Sequence, residues 1–257
     1  METKARGGWM RSLGACLLLA GLVAYAGYEL CRHGSLRRAD SFTMWAGTLL
    51  LILVIATIGV ATERWWARWL GLAAGLTCTM YAGIFTAVVV FGGDRFESEA
   101  LPFFTGPLLL ACLAGRTMFD RFDARAGWSD DRRTRLVRWT AVANLASLAS
   151  LLIVNLVLLT ERSHSVPAAA VWLSVAATLM LLCGVALLAR KKTAGVLAMA
   201  ALVGLQVALL AVFCQTGGTS DLGETGVLLG LFLPGFVTAL ATFVVYARPM
   251  WRFLRTG

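Results

Sequence analysis

The feature that most constrains this chain is the recurrence of long apolar runs that contain no charged residue on any side. Hydrophobic residues make up 59% of the sequence and charged residues 14%, whereas soluble domains contain about 45–50% and about 25%. A surface helix of a soluble protein keeps one polar face, and these runs have none. The sequence therefore predicts an integral membrane protein, because lipid is the solvent that such surfaces require.

The apolar runs divide into segments of the length that crosses a bilayer, which is about 20 residues. The predicted spans are residues 12–30, 42–62, 69–92, 100–118, 137–160, 166–189, 193–214 and 225–247. The fold class that they predict is all-α, a polytopic transmembrane bundle of about eight helices that forms a single membrane domain over 1–257. The span at 100–118 is short and contains Pro102 and Pro107, so a kinked or re-entrant helix is its alternative.

The orientation follows from the distribution of Lys and Arg, which favour cytoplasmic loops. With the N-terminus inside, 18 of the 23 basic residues lie on the cytoplasmic side and 5 outside. The outer loop that contains Arg32, Arg37 and Arg38 opposes this bias. We therefore expect a multi-pass protein of the bacterial inner membrane with both termini in the cytoplasm. The net charge of +9 is explained by these loops, and we predict no nucleic-acid partner.

The first apolar segment has a second interpretation. A basic start, an apolar stretch over 13–23 and the triplet Ala24-Tyr25-Ala26 before Gly27 resemble a signal peptide and its cleavage site. The apolar character continues beyond the triplet to Leu30, which favours a retained helix. Both alternatives remain open at this stage.

Residues that could carry redox or metal chemistry are few. The two histidines, His33 and His164, fall in predicted outer loops, so a haem held between helix histidines is not expected. The six cysteines show no CxxC spacing, and we predict no metal site. Cys31 and Cys214 lie near the outer ends of their helices, where a disulfide could form. No nucleophile and base can be paired, so the chain is not expected to catalyse a reaction by itself.

Small and polar residues recur at helical spacing on two predicted helices. Gly71, Gly75, Thr79 and Gly83 recur every four residues on the third helix and predict a close seam with a neighbouring helix. On the fifth helix Asn144, Ser147 and Asn155 share one face, where they either bond to neighbouring helices or line a polar ligand pocket.

The longest predicted cytoplasmic loop, from Arg116 to Arg138, mixes seven Arg with four Asp. Met118, Phe119 and Phe122 share a helical face within it. This face could form an interfacial helix or a docking surface for a soluble partner, and a solvated loop is the alternative.

Two stretches resemble the membrane subunits of the polysulfide reductase type, related to the anchor subunits of dimethyl sulfoxide reductases. They are Met80-Tyr81-Ala82-Gly83-Ile84-Phe85 and Leu101-Pro102-Phe103-Phe104-Thr105-Gly106-Pro107-Leu108, and Thr62-Glu63-Arg64-Trp65-Trp66 is similar to the end of an early helix in that family. The resemblance implies a subunit without haem that exchanges electrons between membrane quinone and an iron–sulfur partner attached to a molybdenum enzyme. Ala82 departs from the family's Thr, and one helix is missing before the motif.

These observations predict a haem-free membrane anchor or quinone-interacting subunit of a respiratory oxidoreductase. Tyr81 and Asn144 are the candidate residues for a quinone or another polar ligand, and the lipid bilayer, an iron–sulfur subunit and a molybdoenzyme are the predicted partners. The alternative is a permease component for an uncharged or lipid-like substrate, or a structural membrane protein without chemistry.

Overall fold

The computed structural model describes residues 2–33, 41–92, 102, 104–160, 168–216 and 222–256. Within these ranges the regular elements are helices and no strand is present, so the all-α prediction is confirmed. The backbone contacts divide the chain into two compact units. Unit 1 contains residues 1–34 and 46–134, and unit 2 contains residues 35–45 and 135–257.

Among the described residues, unit 1 contains five α-helices and a turn of 3-10 helix after the fifth. The helices are α1 (Glu2–His33), α2 (Ser41–Ala61, whose first residues belong to unit 2), α3 (Trp65–Gly92), α4 (Thr105–Leu113) and α5 (Arg116–Phe122), and the 3-10 turn covers Ala124–Ala126. Helix α4 packs against α3 and α1, and α5 also packs against α1. The short α4 is therefore the centre of this unit.

The predicted span at 100–118 differs from the structure in length. Helix α4 has nine residues, about 14 Å at the rise of an α-helix, whereas the hydrocarbon core is about 30 Å thick. The chain becomes extended at Ala114, and Gly115 follows with a φ of 95°, a conformation that favours glycine. The described residues 104–118 therefore do not form one continuous helix, because the chain breaks at Ala114 and Gly115.

The predicted glycine seam on α3 is occupied by α4 along most of its length. A methyl group built on Gly71 would lie 2.5 Å from Leu113 Cδ1, and one built on Gly75 would lie 3.0 Å from Leu110 Cγ. On the facing helix, a methyl group on Gly106 would lie 2.5 Å from the backbone nitrogen of Thr79. The two backbones are therefore in direct contact, as small residues allow.

Unit 2 contains α6 (Arg132–Thr160, whose first three residues belong to unit 1), α7 (Ala168–Ala189), α8 (Ala194–Thr216) and α9 (Leu222–Thr256). Helices α7 and α8 form an antiparallel hairpin whose turn places Lys191 at a φ of 55°, and α8 also packs against α9. The core of this unit is apolar and includes Leu151, Leu181, Leu202 and Phe232.

Three helical segments among the described residues are long and apolar enough to cross a membrane. They are Gly8–Tyr28, Ala168–Ala189 and Ala194–Gln215. Large apolar side chains on these segments are exposed, such as Leu17 at 65% and Trp172 at 73%, which lipid would cover. These segments indicate a membrane protein, and the other predicted spans stay predictions.

Candidate functional site

Arg68, in the first turn of α3, is a charged residue of unit 1 that is almost fully buried, with 1% of its surface exposed. Its Nε donates a hydrogen bond to the carbonyl oxygen of Leu113 over 2.9 Å, and its Nη1 pairs with the carboxylate of Asp123. Leu113 ends α4, and the last carbonyls of a helix lack partners within the helix. Arg68 therefore supplies the donor that the buried end of α4 requires.

Asp123 follows α5 directly and is fully buried. One of its oxygens accepts the bond from Arg68, and the other accepts a hydrogen bond of 2.6 Å from the indole Nε1 of Trp69. Burial lowers the pKa of the Arg68 guanidinium, and the charge of Asp123 opposes that effect. With both oxygens of Asp123 bonded and the charge of Arg68 matched, this ionic junction holds the ends of α3, α4 and α5 together.

A second ion-pair group lies beside the junction and uses Glu63, in the turn between α2 and α3. The Nε of Arg121 donates to Glu63 over 2.8 Å, and Arg125 pairs with the other carboxylate oxygen. Glu63 has a φ of 55°, so the turn itself is in the left-handed region. The first part of the predicted cytoplasmic loop is thus folded onto the helices.

The apolar face predicted within that loop is buried. Met118, Phe119 and Phe122 are 0%, 4% and 1% exposed. The interpretations of this face as a docking surface or as part of a solvated loop are therefore corrected: it packs inside the protein and cannot receive a partner. The physical reason is that α5 needs a core for its three apolar side chains, and α1 packs against it.

The predicted polar face of α6 is also buried, in unit 2. Asn144, Ser147 and Asn155 are 2%, 0% and 7% exposed. The amide nitrogen of Asn144 donates to the carbonyl of Thr140 one turn earlier, so it is used within α6. Asn155 instead donates across the helix boundary to the hydroxyl of Thr178 on α7, over 2.7 Å. The interhelical role predicted for this face is therefore confirmed at Asn155.

Several buried polar side-chain atoms of unit 2 have no hydrogen-bond partner among the described residues, and four of them lie in the second half of α6, on α7 and on α8. They are Oε1 and Nε2 of Gln206, Oγ of Ser174 and Oδ1 of Asn155, and we call these three residues the amide cluster. An unsatisfied buried polar group costs about 1–3 kcal/mol. Such groups in native proteins have an explanation in water, a ligand or strain.

Asn155 on α6 and Ser174 on α7 are neighbours, and the register of α7 and α8 gives the level of Gln206 relative to Ser174. A methyl group on Gly184 would lie 3.4 Å from Ala198, and one on Gly195 would lie 2.9 Å from Leu188, which fixes the register of α7 and α8. Continued at the same rise, this register places Gln206 at the level of residues 176–177. Ser174 is on that turn of α7, and Asn155 Nδ2 donates to the carbonyl oxygen of Ser174 over 3.4 Å and to the hydroxyl of Thr178.

The residues predicted for ligand binding belong to different units. Tyr81 is partly buried on α3 of unit 1, and Asn144 is on α6 of unit 2. The thiols of Cys31 and Cys214 are free. His164 lies outside the described residues, and no group of three or more His, Cys, Asp or Glu that could hold a metal is found within them.

Sequence reasoning missed Arg68, Asp123 and Gln206 as buried polar residues. Gln206 had a signal, since it is a polar residue near the middle of an uncharged apolar run. Arg68 and Asp123 had none, because Arg68 lies at a predicted helix end and Asp123 in the predicted cytoplasmic loop, where charged residues are ordinarily solvated.

Comparison with protein-family models, with curated proteins and with solved structures finds no match for this chain.

Proposed function

We propose that this protein is a haem-free membrane subunit of a respiratory oxidoreductase that binds quinone, and that the amide cluster holds the quinone headgroup. The observation that supports this function most directly is Gln206. It is fully buried near the middle of α8, and both polar atoms of its amide lack partners among the described residues.

The amide cluster has the chemistry that an uncharged headgroup needs. Gln206 Nε2 and the hydroxyl of Ser174 can donate to a quinone carbonyl, and the oxygens of Asn155 and Gln206 can accept from a quinol hydroxyl. No member carries a charge, so a neutral ring enters without the desolvation cost of an ion. Apolar side chains on the same faces, such as Ala177 and Leu209, are buried and suit the ring.

The wider architecture in this proposal is the one that the sequence predicts. Eight spans cross the bacterial inner membrane with both termini inside, and an iron–sulfur subunit linked to a molybdoenzyme binds the cytoplasmic side. The resemblance to the polysulfide reductase type supports the partner classes. The ionic junction of Arg68 and Asp123 supports a rigid binding surface for that partner at one end of unit 1.

Co-purification in mild detergent tests the proposed iron–sulfur partner, and recovery of the chain without an iron–sulfur protein would contradict it.

The quinone proposal is tested by measuring the quinone that co-purifies with the intact chain from native membranes. We expect Gln206→Leu to lose most of the quinone, because leucine keeps the volume and removes both polar atoms. Gln215→Leu is the matched control on the same helix, since Gln215 is exposed. Equal quinone in both variants and in the unchanged protein would overturn the assignment.

The same measurement compares the residues predicted from sequence. Tyr81→Phe and Asn144→Leu are expected to retain quinone if the amide cluster is the site. If either variant loses quinone and Gln206→Leu retains it, the quinone site would be assigned to the residue changed in that variant.

A permease for an uncharged substrate is the second candidate, and the neutrality of the amide cluster favours it. Proteoliposomes that contain the chain would then pass small uncharged solutes faster than empty liposomes, and Gln206→Leu would remove the difference. Quinone retention without solute flux would exclude this candidate.

A further inference from the structure

We infer that Thr178 fixes the amide of Asn155 in one orientation, so that the amide cluster binds a quinol more tightly than the corresponding quinone. This selectivity rests on the proposed quinone function, and it adds a residue that lies outside the amide cluster and determines its specificity. Thr178 is on α7, one turn after Ser174, and it is 9% exposed.

The hydrogen bonds around Thr178 determine which atom of the Asn155 amide faces it. The hydroxyl of Thr178 donates its single proton to the carbonyl oxygen of Ser174 over 3.0 Å. It can therefore offer only a lone pair to Asn155, so the atom of Asn155 that lies 2.7 Å away is the amide nitrogen. The Ser174 carbonyl, 3.4 Å from the same nitrogen, is a second acceptor on that side. The amide oxygen of Asn155 is thus turned away from Thr178, and no described residue donates a hydrogen bond to it.

Each member of the amide cluster lies three or four positions from apolar residues that belong to one continuous core. These residues are Leu151 on α6, Ala170 and Ala177 on α7, and Leu202 and Leu209 on α8. Residues at this spacing share a helix face, so Asn155, Ser174 and Gln206 all face that core. An unpaired polar atom is costly in such apolar surroundings, and the hydrogen bonds of a ligand therefore decide how tightly it binds here.

The two forms of a quinone differ in the hydrogen bonds that they can make. The carbonyl oxygens of a quinone only accept, whereas the hydroxyl groups of a quinol donate and accept. Gln206 Nε2 and the Ser174 hydroxyl can donate to either form. The oxygen of Asn155 can only accept, so a quinol satisfies it and a quinone leaves it unpaired, which weakens binding by about tenfold. Because the quinone takes up two electrons and two protons to become the quinol, a tenfold preference raises the midpoint potential of the bound couple by about 30 mV.

The test measures the affinity of the intact chain, washed free of native quinone in detergent, for a dimethyl naphthoquinone and a decyl benzoquinone. Each probe is used in its oxidised and its reduced form without oxygen. We expect the reduced form to bind about tenfold more tightly. Thr178→Val keeps the shape of the side chain and removes the hydroxyl, so the Asn155 amide can turn and the preference should be lost. Thr178→Ser is the matched control, since it keeps the hydroxyl and should keep the preference.

The outcomes separate this selectivity from the quinone function on which it rests. Equal affinities of the unchanged chain for the quinol and the quinone would overturn the selectivity and leave the quinone site in place. A preference that persists in Thr178→Val would show that Thr178 does not set it. Binding of neither probe in either form would contradict the quinone function itself, with water then completing the amide cluster. Circular dichroism confirms that each variant is folded, and the affinities of the unchanged chain decide the selectivity even where a variant does not fold.

Discussion

The buried polar residues of this protein include two kinds. Arg68 and Asp123 are charged and hold the fold, whereas Gln206 is neutral and is available to a ligand. Arg68 and Asp123 are both almost fully buried and satisfy each other, and Trp69 completes the group. Gln206 is equally buried and is satisfied by no described residue. The sequence shows each of these residue types but not their partners. Arg68 and Asp123 are 55 positions apart, so only the path of the chain between them reveals the pair.

Asp123→Asn is expected to destabilise the protein strongly. The change would leave the Arg68 cation buried without a counter-charge, and breaking a buried ion pair in this way costs about 3–5 kcal/mol. The measurement is the unfolding temperature in detergent, followed by the fluorescence of the indoles that pack near Asp123. Asp120→Asn removes the same charge from the exposed side of α5 and should leave the temperature unchanged. Equal stability of the two variants would show that the junction does not hold the fold.

At the scale of the helix, the spacing of small residues predicted which residues pack closely, but it did not predict which helix they pack against. The four-residue recurrence identified Gly71, Gly75 and Thr79 correctly, and their partner is the nine-residue α4. Gly83 has the same spacing, yet no described atom lies within 4 Å of a methyl group placed there. Helical period fixes a face, whereas the length of the opposite helix decides how much of that face is covered.

Gly75→Leu is expected to lower the folded yield and the unfolding temperature. Its side chain would collide with Leu110 and with the carbonyl oxygen of Gly106, 3.2 Å from the first added atom, and overpacking costs about 1–3 kcal/mol or more. Gly83→Leu is the matched control on the same helix and should be tolerated. Normal yield of both variants would mean that α4 can move away from α3 at no cost.

For the whole molecule, composition was sufficient to predict the all-α class and a membrane location, because no other solvent accommodates the apolar runs. It could not predict the division into two compact units. That division depends on which helices contact each other, and apolar helices in lipid choose neighbours by local packing that composition does not encode. The break at Ala114 and Gly115 was indicated only by two prolines before it, while its stabilisation by Arg68 required the tertiary structure.

The topology is tested by reporter proteins fused at loops of the intact chain. Fusions after Arg125, Lys192 and Arg255 are expected to report the cytoplasm, and insertions at Glu97 and Gly218, which lie outside the described residues, should report the exterior. The reason is the strong excess of Lys and Arg in the first group of loops.

Arg125 is the decisive position, because its loop carries the largest share of that excess and contains the ion pairs with Glu63. An exterior signal there would reverse the predicted orientation. If Lys192 reports the cytoplasm, a cytoplasmic signal at Gly218 would instead indicate an even number of crossings between these two positions, where the predicted topology has one. That result would remove α8 from the transmembrane core on which the proposed quinone site depends.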